Sequence, residues 1–332
     1  MIEKKVKNIN KQVNILKKEL NLLKKNFSKK FTLLINEFQK ISPSDYEIIL
    51  EAQGIRDNSY GLIERVIPKK TFNNVILNEE IKSQINMVLS QIKNHDKLMH
   101  EWGLINLQEN NSVSLLFSGP SGTGKTLTAE ALSHELRKKL FIVKYSNLVD
   151  SYIGETGKNI IKVFELAKKY NAVLFFDEAD AIASSRTQIY SATDSETNLT
   201  RNILLKELEK FDGIVVFATN LASNFDKAFE RRIHSHIIFK VPELQEREKI
   251  WKLLSKTIPL DKDVNFYEIA KEFEFSGGHI KNSIINAARL SVSNNFEKVN
   301  HEHFMKSCRL VKEGKNTLLN IEENKDNINY FG

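Results

Sequence analysis

Gly119-Pro120-Ser121-Gly122-Thr123-Gly124-Lys125-Thr126 decides how the rest of this chain is read. The spacing, G-x-x-x-x-G-K-T, is that of a loop that cradles phosphate groups. Its three glycines let the backbone fold tightly enough for N–H groups to converge on phosphate oxygens. In such a loop Lys125 reaches the outer phosphates of a nucleotide triphosphate, and the Thr126 hydroxyl ligates Mg2+. The flanks supply what the loop needs. Val113 to Phe117 is a short apolar run suited to a buried parallel strand, and Leu127 to Leu136 has apolar residues at helical spacing. That helix directs the positive end of its dipole at the same place. All eight residues are therefore assigned to binding ATP.

A second stretch completes the chemistry. Ala172-Val173-Leu174-Phe175-Phe176 is too apolar to have a solvent face, and it ends in Asp177-Glu178-Ala179-Asp180. A fully buried parallel strand that delivers carboxylates at its C-terminal edge is how an α/β sheet builds a ligand site. Asp177 is expected to hold Mg2+ together with Thr126, and so counts among the cofactor-binding residues. Glu178 is expected to orient and polarise the attacking water, since hydrolysis needs a base within hydrogen-bond reach.

The chain has 332 residues, which suggests two or three units, and at 41% hydrophobic it can bury a sizeable core. No apolar run approaches the roughly 18 residues of a membrane span. Lys4 and Lys5 are followed by no apolar stretch, so no secretory leader is expected. Cys308 is the single cysteine and cannot form an internal disulfide, which points to a reducing cytoplasm. The net charge of +7 is uneven: residues 1–30 hold ten lysines and two glutamates, so everything after them sums to −1. The basicity belongs to the N-terminal arm, and the pI is a poor argument that the whole chain binds nucleic acid.

In that arm Ile2, Val6, Ile9, Val13, Leu16, Leu20, Leu23 and Phe27 alternate spacings of four and three, and Phe31, Leu34, Phe38 and Ile41 continue the stripe after an extra four-residue step. The pattern predicts a basic coiled coil, or a helix packed along a partner helix, over residues 1–42. An amphipathic helix lying on the body is the alternative. Residues 43–70 read as a short helix (Tyr46 to Gln53) and a linker. From residue 71 to 241 strands alternate with helices, which specifies an α/β fold with a parallel sheet covered on both faces. After Pro242 the pattern is purely helical and reads as a small all-α lid over residues 242–313. Residues 314–332, rich in Lys, Asn and Glu, read as a disordered tail. His301, His303 and Cys308 sit on an amphipathic helical pattern with no fourth ligand nearby and are not taken as a metal site.

These motifs together resemble the AAA ATPases, in the clade of katanin, spastin and the AAA-bearing membrane proteases, and most closely their bacterial relatives of the cell-division-cycle type. The resemblance covers roughly residues 71–312. It implies that Thr71 to Leu77 lies near the adenine, and that Asn220, in Ala218-Thr219-Asn220, helps hold the attacking water. Phe225-Asp-Lys-Ala-Phe-Glu-Arg231-Arg232-Ile is similar to the family's second region of homology, which puts Arg231 and Arg232 where arginine fingers act. Ser276-Gly-Gly-His-Ile-Lys-Asn282 is similar to the start of its second sensor helix, without the usual arginine. Ser151-Tyr152-Ile153-Gly154-Glu155 is similar to its central pore loop, where Tyr152 would grip an extended polypeptide.

The function expected is an ATP-driven protein remodeller: a ring of six identical subunits pulling on a protein partner engaged by the arm and the Tyr152 loop. Two other readings stand beside it. One is a nucleic-acid ATPase with the lysine-rich arm on phosphates, although the arm lacks the arginines and aromatics that base readout favours. The other is a scaffold whose assembly ATP controls.

Overall fold

In the computed structural model residues 61–103, 112–149, 155–180, 192–220 and 226–314 are described. The heptad stripe, the short helix after it, the Tyr152 loop and the tail from residue 315 lie outside the described residues.

The sheet has six strands: β1 (Glu64–Val66), β2 (Val113–Ser118), β3 (Leu140–Lys144), β4 (Val173–Asp177), β5 (Ile214–Thr219) and β6 (Ser235–Ile238). Their spatial order is β1-β3-β4-β5-β2-β6. All pairings are parallel except β1 with β3. The four central strands read as continuous apolar runs because both faces are covered. Alternation still sorts them: Leu174, Phe176, Val215 and Phe217 enter one core, while Val173, Phe175, Ile214 and Val216 enter the other. On the first face the rings of Phe176 and Phe217 stack at 5.2 Å.

Helices α1 (Glu79–Lys93) and α2 (Lys125–Glu135) cover the second face. After the short α3 (Tyr145–Leu148), α4 (Glu155–Tyr170) and α5 (Ala192–Lys210) cover the first. In α4 the buried residues Ile160, Val163, Phe164 and Ala167 recur at helical spacing. Asn78 caps α1 by accepting the Ile81 N–H at 2.8 Å. Helix α1 stops at Lys93, where Asn94 caps it, and a separate π-helical turn spans Lys97–Glu101.

The short α6 (Lys227–Glu230) leads into β6. Then α7 (Leu244–Leu254), α8 (Phe266–Glu272), α9 (Gly277–Ser293) and a last helix, α10 (301–314), enclose a third core of their own. Trp251 is its hub, stacked on Phe266 at 6.1 Å and edge-on to Phe304 at 5.7 Å. Cys308 is buried there, and desolvation pushes its thiol up to about 12, so it is an inert packing residue.

One expectation is corrected. Part of the linker expected within residues 43–70, Glu64–Val66, instead adds an antiparallel edge strand to β3. Three residues are too few to show an alternating pattern, and β3 selects them by pairing.

Two histidines fasten the other edge. His234 Nδ1 accepts the Ser114 N–H at 3.1 Å, and His236 Nε2 lies 2.6 Å from the Ser118 hydroxyl. Burial lowers the pKa of both, against a smaller opposing pull of Glu230 on His236. A histidine whose folded pKa lies below its unfolded value gives stability that is present above the unfolded pKa and lost as pH falls from there through the folded pKa. The urea midpoint should therefore drop between about pH 7.5 and about pH 5.5, above the range where carboxylates titrate. The His234→Gln/His236→Gln protein should show a smaller drop; parallel curves for the two proteins would refute the assignment.

Candidate active site

The phosphate loop joins β2 to α2, and its geometry is set by glycine. Gly119 has φ 137, and a Cβ there would lie 1.9 Å from the Phe239 carbonyl oxygen. Gly122 has φ 74, and a Cβ there would lie 2.8 Å from Ser276 Oγ and 3.0 Å from the Gly278 nitrogen. The loop thus runs between β6 on one side and the start of α9 on the other. Gly278 N–H donates to the Gly122 carbonyl at 3.0 Å. A segment 156 residues downstream, the Ser276 to Asn282 stretch that resembles a second sensor helix, is therefore bonded to the loop backbone. Pro120, Ser121 and Thr123 form the outer rim, with the Thr123 hydroxyl donating to the Pro120 carbonyl at 2.8 Å. Gly124, at φ 100, is the N-terminal cap of α2.

Lys125 is buried at the head of α2, with 9% of its surface exposed. Its ammonium donates to the Gly119 carbonyl at 2.6 Å, the Pro120 carbonyl at 3.0 Å and Asn220 Oδ1 at 2.8 Å. Burial pulls this amine below the ordinary lysine range, while the carboxylates of Asp177 and Asp180 pull the other way. The first residue of the loop, its lysine and the strand-end asparagine thus meet at one point. Parallel pairing of β2 with β5 explains why: Ser118 lies beside Thr219, so Gly119 and Asn220 emerge together.

The carboxylates arrive on the next strand. Asp177 closes β4, and its Oδ1 accepts the Glu178 N–H at 3.1 Å. Glu178 is exposed and sits at φ 52, a backbone state that costs a residue with a side chain about 1 kcal/mol or more. The turn is pinned on its far side. Ala179 N–H donates to the Ala218 carbonyl at 2.8 Å, and the Thr219 hydroxyl donates to Asp180 Oδ1 at 2.9 Å. Asp180 was not singled out from sequence; its hydroxyl partner and its effect on Lys125 make it the residue that fixes this turn. Thr126 is exposed in the first turn of α2.

The residues fit a nucleotide and its magnesium ion on the structure's own terms. The loop has backbone angles only glycine adopts easily, room that a Cβ would fill, a desolvated lysine and an adjacent pair of carboxylates.

The arginine pair divides. The resemblance puts both at arginine-finger positions, but Arg232 turns back onto its own chain. Its guanidinium pairs with Glu209, donating from Nε at 2.9 Å, and Nη1 donates to the Ala228 carbonyl at 2.7 Å. Helix α5 supplies that glutamate, a tertiary partner that no local spacing signals. Arg231 is exposed. Tyr152 and its loop lie outside the described residues.

Gly119→Ala should lower stability on the order of 3 kcal/mol, through both strain at positive φ and overlap with Phe239. Thermal unfolding of that variant at the wild-type midpoint would contradict the loop geometry.

The segment that builds this cluster resembles known proteins. The AAA family model, "ATPase family associated with various cellular activities", matches residues 115–241, from β2 to just past β6. The chain is 33% identical over 250 residues to the ATP-dependent zinc metalloprotease FtsH of Metamycoplasma arthritidis, covering 73% of this chain and 33% of that protein. It is 33% identical over 226 residues to a putative 26S proteasome regulatory subunit homolog of Methanocaldococcus jannaschii, covering 66% and 58%. It is 35% identical over 203 residues to an uncharacterized AAA family ATPase of Sinorhizobium fredii, covering 60% and 59%. The chain thus spans a third of the first relative's length and under two thirds of the other two. Every residue of the cluster around Lys125 falls inside the matched segment, and residues 115–241 are an AAA domain, a member of this ATPase family.

Proposed function

We propose that this chain hydrolyses ATP and uses the energy to remodel a protein partner. The observation that carries the ATPase reading is the convergence of Lys125, Asn220, Asp177 and Glu178 at the ends of three adjacent strands. Lys125 would exchange its loop carbonyls for phosphate oxygens, and the loop N–H groups would hold the rest of the triphosphate. Thr126 and Asp177 would hold Mg2+, which neutralises phosphate charge during transfer. Glu178, exposed at the strand edge, would orient and polarise the water, and Asn220 would steady it.

Among the described residues no arginine is bonded to Lys125 in this cluster. Arg232 is committed to Glu209, which leaves Arg231 as the residue available to a neighbour's nucleotide. We therefore read the active form as a ring, of six subunits by analogy with the family, in which Arg231 acts across the interface. Residues 242–313 serve as the lid over the nucleotide, and the bond from Gly278 to Gly122 supports a lid that follows the loop. The Tyr152 loop grips the substrate, and the arm of residues 1–42 receives it, in the cytoplasm. No helix among the described residues is long and apolar enough to cross a membrane.

Lys125→Ala should abolish ATP binding in a fluorescent-nucleotide titration, whereas Glu178→Gln should bind normally and lose roughly 10²-fold or more of turnover, as expected for loss of a general base. Normal hydrolysis by Glu178→Gln would refute the carboxylate role. A protein partner captured by the Glu178→Gln protein in ATP supplies the substrate for a second test. With it, Tyr152→Ala should keep basal hydrolysis and lose remodelling; unchanged remodelling would favour a scaffold whose assembly ATP controls.

A further inference from the structure

The sheet edge opposite the nucleotide carries a second feature that ATP chemistry does not use. A cleft of about 710 Å3 lies where the chain leaves β1, α1 ends and α2 turns into β3. Four cations line it, Lys93, Arg137, Lys138 and Lys139, with the single carboxylate Glu135. That carboxylate is already engaged by Lys93 at 2.7 Å. The nearby Glu130 accepts the backbone N–H groups of Lys69 and Lys70 at 3.0 and 3.2 Å. Lys138 donates to Asn171. The Arg137 guanidinium has no hydrogen bond or ion pair among the described residues, and its backbone is held at φ 55.

Cations at the end of α2 would be expected from the negative end of its dipole. That accounts for Arg137 and Lys138 but not for the rest. Just beyond the cleft, Arg65, Lys139 and Lys169 all crowd the ring of Tyr170, at 5.4, 5.4 and 5.3 Å from its centroid. Three like charges on one ring repel each other. The cleft also has an apolar wall, Pro68 with Ile67, the latter 67% exposed. The chain after residue 30 carries a net charge of only −1, so this is a local concentration of positive charge on a near-neutral body.

We propose that this cleft binds an acidic segment of a protein partner, with carboxylates on Arg137 and Lys139 and an aliphatic side chain against Ile67. A single-stranded nucleic acid would want an open aromatic face to stack on. Here the aromatic ring is occupied by the protein's own cations. The surface is separate from the nucleotide site and does not depend on the function assigned to it. Helix α2 connects the two, with the phosphate loop at its head and the cleft about 16 Å away at its foot.

The test uses the full chain and three fluorescein-labelled probes: a short peptide of Glu with interspersed Leu, the same peptide with Gln for Glu, and a single-stranded oligodeoxynucleotide. The variant is Arg137→Gly/Lys139→Gln. Glycine suits the left-handed backbone at residue 137, so the charge is removed without new strain. The lysines of residues 1–30 are the same in both proteins, so the difference between them isolates the cleft. Anisotropy titrations should show the Glu peptide binding about tenfold more weakly to the variant, from the loss of two exposed charge contacts. Basal ATPase should be unchanged. Equal binding of the Glu peptide by both proteins would overturn the proposal, as would equal binding of the Glu and Gln peptides by the wild type. An oligonucleotide that binds more tightly than the Glu peptide and is weakened by the variant would replace it with a nucleic-acid surface.

Discussion

The buried ammonium of Lys125 is the interaction on which the rest of the structure depends. A lysine this far from water persists as a cation only if its three protons are met. Two loop carbonyls and Asn220 meet them, with Asp177 and Asp180 supplying the nearby negative charge. For the partners to converge, β2, β5 and β4 must lie side by side, parallel and in register. That register needs strands that are apolar on both faces, and so needs α1, α2, α4 and α5 to cover them. The sheet order can be read as the arrangement that delivers one glycine, one asparagine and two carboxylates to the head of α2.

The same loop is built into its surroundings at two more points. At Gly119 it touches the chain just after β6, and at Gly122 it is bonded to the start of α9. Any rearrangement of the loop around phosphates must move these contacts or be resisted by them. A packed contact between backbones has little slack. This gives a direct route from the loop to the helical segment, through one hydrogen bond, and requires no extended network.

Much of this was legible in the sequence. The glycine spacing and the apolar strand ending in Asp177-Glu178 encode local geometry, Asn220 came from the family resemblance, and parallel pairing brings them together. What was not legible depends on partners distant in the chain. The three residues of β1 have no pattern of their own. The Arg231-Arg232 pair looked symmetric until Glu209, on another helix, took one member. Asp180 gained its role from Thr219, and Gly122 met Gly278 across 156 positions. The basic cleft was invisible for the same reason. Its cations come from two segments far apart in the chain, Lys93 and Arg137 to Lys139, while the composition drew attention to the N-terminal arm.

The central claim is that the Lys125 site is complete only when a neighbour lends Arg231. Mixing two inactive proteins tests it most directly. On this account Lys125→Ala would retain Arg231 but lack a nucleotide site, whereas Arg231→Ala would retain the site but fail to complete its neighbour's. Co-refolded at equal ratio, they should hydrolyse ATP faster than the sum of the two assayed alone, because some interfaces pair an intact site with an intact arginine. A mixture no faster than that sum would contradict a site shared between subunits.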